Sequence, residues 1–196
     1  MGSLFSGIAM SILRKNVTLS VAEYLAGEPY STVKHEYVNG QVYAMVGVSR
    51  AHNRITVNLT LALGNHLRGT PCKVFTSDMK VRINDIFYYP DLAVGCGESN
   101  PNDYYLSQPV LVIEVLSPST ERLDLVEKRL NYQSLPSLHE YVLVAQDKPE
   151  VRIFRRAEAG WDLEIFAAND TVRFQSVDLA VPIAEIYEDV ESRQEH

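Results

Sequence analysis

The chain has 196 residues and a formal net charge of −7, from 18 lysines and arginines against 25 aspartates and glutamates. Hydrophobic residues make up 46% of the sequence and charged residues 22%, values that are typical of a globular protein and exclude a disordered chain, a collagen-like repeat and a disulfide scaffold. The acidic balance also argues against a protein that coats nucleic acid through bulk charge, although a local site that meets nucleic acid stays open.

The two ends of the chain are expected to lie outside the folded domain. Residues 1–17 contain an apolar stretch that is short, broken by Ser and Gly, and followed rather than preceded by basic residues, unlike a secretory signal. This stretch is too short to span a bilayer. We therefore expect a flexible leader at residues 1–17, a single domain at residues 18–187 and a polar tail at residues 188–196.

The cysteines indicate the compartment. Cys72 and Cys96 lie far apart in the sequence and are not accompanied by the spacing of a metal site. This pattern supports neither structural zinc nor a disulfide framework. We therefore expect a cytoplasmic protein with no membrane partner.

The first third of the chain predicts a helix, a hairpin and a second helix. Residues 18–25 read as a short capped helix that ends before Gly27 and Pro29. Asn39-Gly40 between alternating residues is a strong hairpin signal, because both residues accept a positive φ. Residues 50–67 fit an amphipathic helix. Its apolar positions are Ala51, Ile55, Leu59, Ala62, Leu63 and Leu67.

The remainder predicts strands with one further long helix. Strand-like runs occupy residues 73–76, 79–83, 87–94, 110–116, 140–145, 151–155, 162–166 and 171–174. A helix is expected at 119–134, with Leu123, Val126 and Leu130 facing the core, and a short helix after Pro182. This order predicts an α+β domain in which a mixed sheet is flanked by helices.

Glu114 stands out because every neighbour in the run Val110-Leu-Val-Ile-Glu-Val-Leu116 is apolar. Both faces of such a strand are apolar, which indicates a buried central strand. An ionised carboxylate there is costly unless it is paired or binds a metal. Pairing with an arginine is the simpler of the two interpretations.

Asp91 is a second unusual acid, since it follows Pro90 within a strand-like run. Proline cannot donate to a ladder, so Pro90 marks a sheet edge, a strand start or a bulge. A bulge can direct a side chain into a site. The alternative is an ordinary turn residue.

Other charged residues are candidates of the same kind. Asp124 and Lys128 are four residues apart and therefore share a helix face. They form either a solvated ion pair or an arrangement in which Lys128 points over the end of the strand that carries Glu114. Glu36 stands at the start of the hairpin, where a surface strand residue is the simpler interpretation. His52, near the start of the long helix, is either a helix-start residue that bonds a nearby loop or, like Asp78 and Gln146, a second-tier candidate.

These segments together resemble the Uma2 (DUF820) family of restriction endonuclease-like proteins, in the PD-(D/E)XK nuclease superfamily. The resemblance covers about residues 18–187. It is carried by Glu36-Tyr-Val-Asn-Gly-Gln-Val42, Ser49-Arg-Ala-His52, Tyr89-Pro-Asp91, Val112-Ile-Glu-Val-Leu-Ser-Pro-Ser-Thr120, Asp124, Lys128, Tyr132 and Pro136-Ser-Leu-His-Glu-Tyr-Val-Leu-Val144.

The resemblance implies a restriction endonuclease-like core with an N-terminal β-hairpin extension. It implies that Glu36, Asp91 and Glu114 bind Mg²⁺ or Mn²⁺, together with the backbone carbonyl near Val115. The superfamily lysine normally lies two residues after the second acid, a position held here by Leu116. Lys128 on the following helix fits a migrated lysine, which would stabilise charge on the phosphate or orient the water.

The implied function is a metal-dependent endonuclease that hydrolyses phosphodiester bonds, with DNA as the expected partner. The missing strand lysine and the net charge of −7 favour an alternative, a catalytically inactive nuclease-fold module that binds nucleic acid or regulates. A metal-dependent hydrolase of small phosphate esters is a weaker third option. A homodimer follows by analogy with nucleases that cut both strands.

Overall fold

The computed structural model describes residues 18–97, 102–117 and 124–190. The predicted leader at residues 1–17 and residues 191–196 of the predicted tail lie outside this part of the chain. So do residues 118–123, where the sequence predicts the start of the second long helix. In the described part, no helix is long and apolar enough to cross a membrane.

The helices begin where the sequence provides caps. The side chains of Ser20 and Glu23 each accept a hydrogen bond from the backbone N–H of the other, forming a capping box. Ser49 caps the longest helix by accepting a hydrogen bond from the His52 backbone N–H. In the described residues the α-helices are α1 (Val21–Gly27), α2 (Arg50–His66), α3 (Arg129–Gln133), preceded by a π-helical turn at Asp124–Lys128, and α4 (Ile183–Ile186).

The predicted hairpin opens the first of two large sheets. Asn39 and Gly40 have φ values of 49° and 93°, as a two-residue hairpin turn requires. The sheet has the strand order β2-β1-β5-β4-β7. Its strands are β1 (His35–Val38), β2 (Gln41–Ala44), β4 (Lys80–Ile83), β5 (Ile86–Tyr88) and β7 (Tyr105–Leu106).

The second sheet has six strands in the order β11-β10-β9-β8-β6-β3 and is mixed, as predicted. β8 and β9 are parallel and every other neighbouring pair is antiparallel. The strand that carries Glu114 is therefore central. The strands are β3 (Cys72–Thr76), β6 (Leu92–Cys96), β8 (Pro109–Leu116), β9 (Glu140–Ala145), β10 (Glu150–Ala157) and β11 (Gly160–Ala167).

The predicted single strand at 87–94 is wrong, because the chain changes sheets within it. β5 ends at Tyr88 in the five-stranded sheet, and β6 begins at Leu92 in the six-stranded sheet. Pro90 lies in the break, where no ladder hydrogen bond is needed from its nitrogen. Asp91 consequently stands at the point where the two sheets meet.

Apolar side chains fill both faces of the six-stranded sheet. On one face the alternate β8 residues Leu111, Ile113 and Val115 belong to the same buried cluster as the α2 residues Ile55, Leu59 and Leu63. On the other face a second cluster joins both large sheets. That cluster includes Val81, Ile83, Tyr88, Val112, Leu116, Tyr132, Tyr141 and Leu143.

The inward face of the second helix differs from the prediction. Val126 and Leu130 are 52% and 58% exposed, whereas Asp124, Lys128 and Tyr132 are buried. These three residues are four apart and therefore share a helix face. A polar stripe can turn inward here because its charges meet buried partners of opposite sign. Leu123 lies outside the described residues.

A buried ion pair fastens the C-terminal part of the domain to the sheet. Glu140 accepts a hydrogen bond from Arg155 Nε at 2.8 Å and further bonds from the backbone N–H groups of Gln175 and Ser176. Those two residues follow β12 (Thr171–Phe174), which pairs with β13 (Leu179–Pro182). The two-stranded unit is thereby held over the core next to α4.

Cys72 and Cys96 form a disulfide, contrary to the prediction. β3 and β6 are antiparallel neighbours, and their register places the two cysteines opposite each other. Sequence spacing does not reveal this proximity, because it depends on how two distant strands pair.

Candidate active site

Asp91 and Glu114, the two acids that the sequence singles out, lie side by side. Asp91 Oδ2 accepts a hydrogen bond from the Val115 backbone N–H at 2.7 Å. The Asp91 backbone N–H in turn faces Glu114 Oε2 at 3.4 Å. The start of β6 thus fixes Asp91 against the central strand β8.

The backbone of Val115 contributes to the same place. The first residue of β6, Leu92, is opposite Ile113, so Val115 lies beyond the end of the β6 ladder. In an antiparallel pair the N–H and C=O of one residue point to the same neighbouring strand. Since the Val115 N–H reaches Asp91, its carbonyl points to the Asp91 side as well.

Lys128 lies between acids from three different elements. Its Nζ is 2.8 Å from Glu36 Oε1, 3.4 Å from Asp124 Oδ1 and 3.5 Å from Glu114 Oε1. Glu36 belongs to the five-stranded sheet and Glu114 to the six-stranded sheet, so the lysine joins the two. Lys128 is 6% exposed and Glu114 is 4% exposed. One ammonium therefore faces three carboxylates away from bulk water.

The charges in this cluster shift two pKa values. Burial raises the pKa of Glu114 well above its ordinary value, and Asp124, Asp91 and Glu36 raise it further, while Lys128 opposes the change. For Lys128, burial disfavours the ammonium, but the three carboxylates outweigh burial and raise the pKa above its ordinary value. Lys128 is therefore charged, whereas burial and the neighbouring acids favour the protonated form of Glu114.

Buried tyrosines line the cluster. The Tyr132 hydroxyl faces Glu114 Oε1 at 3.4 Å, and the Lys128 ammonium lies 5.2 Å from the centre of the Tyr88 ring. Burial raises the pKa of Tyr132 well above its ordinary value and that of Tyr88 to about 12. Both hydroxyls are therefore neutral. In the sequence only the position of Tyr132, one helical turn after Lys128, could have indicated that a tyrosine belongs to this cluster.

The second-tier candidates divide into two groups. His52 Nε2 is 3.1 Å from Asp91 Oδ2, at the first turn of α2. Gln146 is nearby, because its side-chain oxygen accepts a hydrogen bond from the Ser49 hydroxyl that caps the same helix. Asp78 is exposed and pairs with Lys34, so it takes no part in the site.

The chemistry of the donor set fits a divalent cation with few protein ligands. Within the described ranges no three His, Cys, Asp or Glu side chains form a ready metal-binding group. Mg²⁺, however, is commonly bound through one or two carboxylates and keeps several waters. Asp91, Glu114 and the peptide oxygen of Val115 offer such oxygen ligands.

Four basic residues between positions 50 and 80 lie in different parts of the fold. Arg50 and Arg54 lie in the first turns of α2, whereas Arg68 follows its far end, roughly 25 Å away for a helix of this length. Lys80 lies in β4 of the five-stranded sheet, where it is buried against the Tyr89 ring and donates a hydrogen bond to its hydroxyl. These four residues therefore do not share one basic face.

Comparisons with known proteins agree on one family. The model of the Uma2 family, described as "Putative restriction endonuclease", matches residues 21–184. "Uncharacterized protein slr1290" of Synechocystis sp. is 36% identical over 173 residues, covering 86% of this chain and 91% of that protein. "Uncharacterized protein sll1609" of the same organism is 31% identical, covering 84% of this chain and 97% of that protein.

A solved structure shows the same fold. It is described as a putative nuclease belonging to DUF820 from Anabaena variabilis ATCC 29413. The TM-score is 0.73 at 18% sequence identity, and the match covers 86% of this chain and 97% of that chain. The α+β architecture with its mixed sheet is therefore a nuclease-like fold.

Proposed function

The chain belongs to the Uma2 family, and from this membership we propose that it is an endonuclease that uses Mg²⁺ or Mn²⁺ to hydrolyse phosphodiester bonds in DNA. The observation that carries the proposal is the meeting of Asp91, Glu114 and Lys128 where the two sheets join. Buried charges of this kind are costly unless they are paired or bind a metal. Their convergence supports a site for a phosphate and its cation.

Different residues would bind the cation and stabilise the phosphate. Asp91, Glu114 and the Val115 carbonyl would hold the divalent cation. When bound, such a cation neutralises charge on the phosphate and makes a water molecule more acidic. Lys128, which stays charged, would stabilise negative charge that develops on the phosphate oxygens.

Glu36 is better suited to serve Lys128 than to bind metal. Its Oε1 accepts hydrogen bonds from Lys128 Nζ at 2.8 Å and from the Tyr89 backbone N–H at 3.2 Å. These contacts connect the lysine to the five-stranded sheet. We therefore assign Glu36 the role of orienting Lys128. Tyr132 would hold Glu114 in the same manner, through its hydroxyl.

The direct test is cleavage of supercoiled plasmid and of linear duplex, with Mg²⁺, with Mn²⁺ and with EDTA. We expect metal-dependent nicking by the unmodified chain, no cutting by Glu114→Gln, and a loss of about 10²-fold or more by Lys128→Met. Glu185→Gln is the matched control, because Glu185 is an exposed acid on α4. Cutting that survives Glu114→Gln would overturn the proposal.

One observation favours a second function, a nuclease-fold module that binds nucleic acid without cutting it. Lys128 is already in contact with three carboxylates at 2.8 to 3.5 Å, which leaves it less available to a phosphate. The two functions differ in their response to metal. A nuclease should be stabilised by Mn²⁺ in a thermal melt, whereas an inactive module should show little change.

The DNA-cutting function also favours a homodimer, since two copies would present one site to each strand. Analytical ultracentrifugation with and without a short duplex measures this. A chain that stays monomeric and only nicks one strand would contradict the dimer and leave the nuclease assignment intact. We further propose a cytoplasmic location, where such a DNA substrate is present; the Cys72–Cys96 disulfide argues against it, because disulfides are rare in reducing compartments.

A further inference from the structure

His52 is a buried histidine for which the mechanism above has no use. We propose that His52 is a positioning residue that holds Asp91 through its Nε2–H, so that the other carboxylate oxygen of Asp91 is directed at the cation. This inference rests on the proposed metal site. It adds a residue from α2 to a site otherwise built from β1, β6, β8 and the π-helical turn before α3.

The hydrogen bonds of Asp91 are distributed unequally. Oδ2 receives the Val115 N–H at 2.7 Å and lies 3.1 Å from His52 Nε2. Oδ1 makes no hydrogen bond within the described residues. Oδ2 is thus held by the Val115 N–H and lies at ion-pair distance from His52 Nε2, which leaves Oδ1 available as a ligand.

Burial strengthens the interaction between His52 and Asp91. His52 is 5% exposed and the Asp91 side chain is 15% exposed. A hydrogen bond to a carboxylate is stronger than a neutral one, and more so away from water. An ionised carboxylate can only accept, so a proton on Nε2 would face Asp91 Oδ2.

The first turn of α2 is itself anchored to the site. The Ser49 hydroxyl accepts the His52 backbone N–H and donates to the side-chain oxygen of Gln146. Gln146 directly follows β9, whose last residue, Ala145, is paired with Leu116 of β8. The helix that carries His52 is thus tied to the same strand end that carries Glu114.

Metals bound through carboxylates usually depend on such supporting hydrogen bonds, and loss of one weakens metal affinity by about 10–100-fold. We therefore expect His52→Leu to raise the Kd for Mn²⁺ by about 10-fold or more, measured by calorimetry without any nucleic acid. His52→Gln, whose amide can reach the Nε2 position, should recover most of the affinity. His52→Asn, which is too short to reach it, should not.

His66→Leu is the matched control. His66 lies at the far end of the same helix and contacts the Val177 carbonyl at 2.9 Å, so its loss also removes a histidine hydrogen bond. We expect this variant to keep the Kd for Mn²⁺ of the unmodified chain. If His52→Leu does not fold, the comparison of His52→Gln with His52→Asn decides, since both keep a polar side chain.

The outcomes separate this inference from the nuclease assignment. A Kd for Mn²⁺ that is the same in His52→Leu, His52→Asn and the unmodified chain would overturn the role of His52, even in an active nuclease. A weakened Kd in a chain that cuts no DNA would support His52 and reject the nuclease. An unmodified chain that binds no Mn²⁺ would overturn both.

Discussion

Replacing Lys128 by Met tests whether the buried cluster is organised around one ammonium. Its Nζ lies 2.8, 3.4 and 3.5 Å from oxygens of three carboxylates. At an effective dielectric constant of about 20, each contact contributes about 5 kcal/mol of Coulomb attraction, most of which is offset by burying the charges. Removing one partner of a buried pair leaves the others unpaired and costs about 3–5 kcal/mol.

We therefore expect Lys128→Met to lower the free energy of unfolding by about 4 kcal/mol at neutral pH, which for a domain of this size lowers the Tm by about 10 °C. Urea denaturation in EDTA measures the effect. The loss should shrink as the pH falls, because the stranded carboxylates can then take up protons. Lys148→Met is the control: Lys148 is half exposed and pairs with Glu150 at the surface, so its loss should cost less than about 1 kcal/mol.

The double variant Lys128→Met/Glu114→Gln supplies the sharper criterion. Removing the buried carboxylate as well should restore about 1–3 kcal/mol of the free energy of unfolding, because the effects of mutations at residues in contact are not additive. If the changes in the free energy of unfolding of the two single variants simply add, Lys128 and Glu114 are not coupled. If Lys128→Met is as stable as Lys148→Met, the ammonium does not neutralise the cluster and the reasoning about its charge is refuted.

The remaining predictions concern stability. Burial raises the pKa of Glu114 in the folded chain, so the folded state holds a proton that the unfolded state releases. The free energy of unfolding therefore falls as the pH rises above the pKa that Glu114 has in the unfolded chain. Glu114→Gln should therefore gain stability relative to the unmodified chain near pH 8 and lose this gain near pH 4 in thermal melts; a gain that does not vary with pH would contradict the shift. Cys72→Ser should lower the free energy of unfolding by about 3 kcal/mol by opening the Cys72–Cys96 loop, and a reductant should destabilise the unmodified chain but not the variant. Glu140→Gln should cost about 1–3 kcal/mol, because it removes one charged partner of Arg155 while the pair with Glu164 remains, and it should leave metal-dependent cleavage per folded molecule unchanged.

The local features of this chain could be predicted because their causes are local. Asn39-Gly40 accepts the positive φ angles of a hairpin turn wherever the hairpin lies. The 3.6-residue period of α2 identifies its buried residues Ile55 and Leu59 without knowledge of what covers them. An apolar run around Glu114 indicates a central strand for the same reason. The sequence also selected Asp91 and Glu114, because charge in an apolar or proline-marked context requires a partner. Lys128 was selected by its spacing from Asp124 and by the family resemblance.

Periodicity failed where polar residues turned inward. In the second helix Val126 and Leu130 form one stripe, and Asp124, Lys128 and Tyr132 form another. An apolar stripe is the better prediction for a helix considered alone. The structure buries the polar stripe instead, because acids from two sheets meet it there.

The sequence by itself determined which segments form helices and strands and which charged residues are out of place. The tertiary structure decided how these residues combine. Glu36 and Lys128 are 92 positions apart and meet because a strand of one sheet faces a helix that follows the other. Cys72 and Cys96, and likewise His52 and Asp91, are brought together by strand register and helix packing. Such contacts depend on the path of the whole chain, for which neighbouring residues carry no signal.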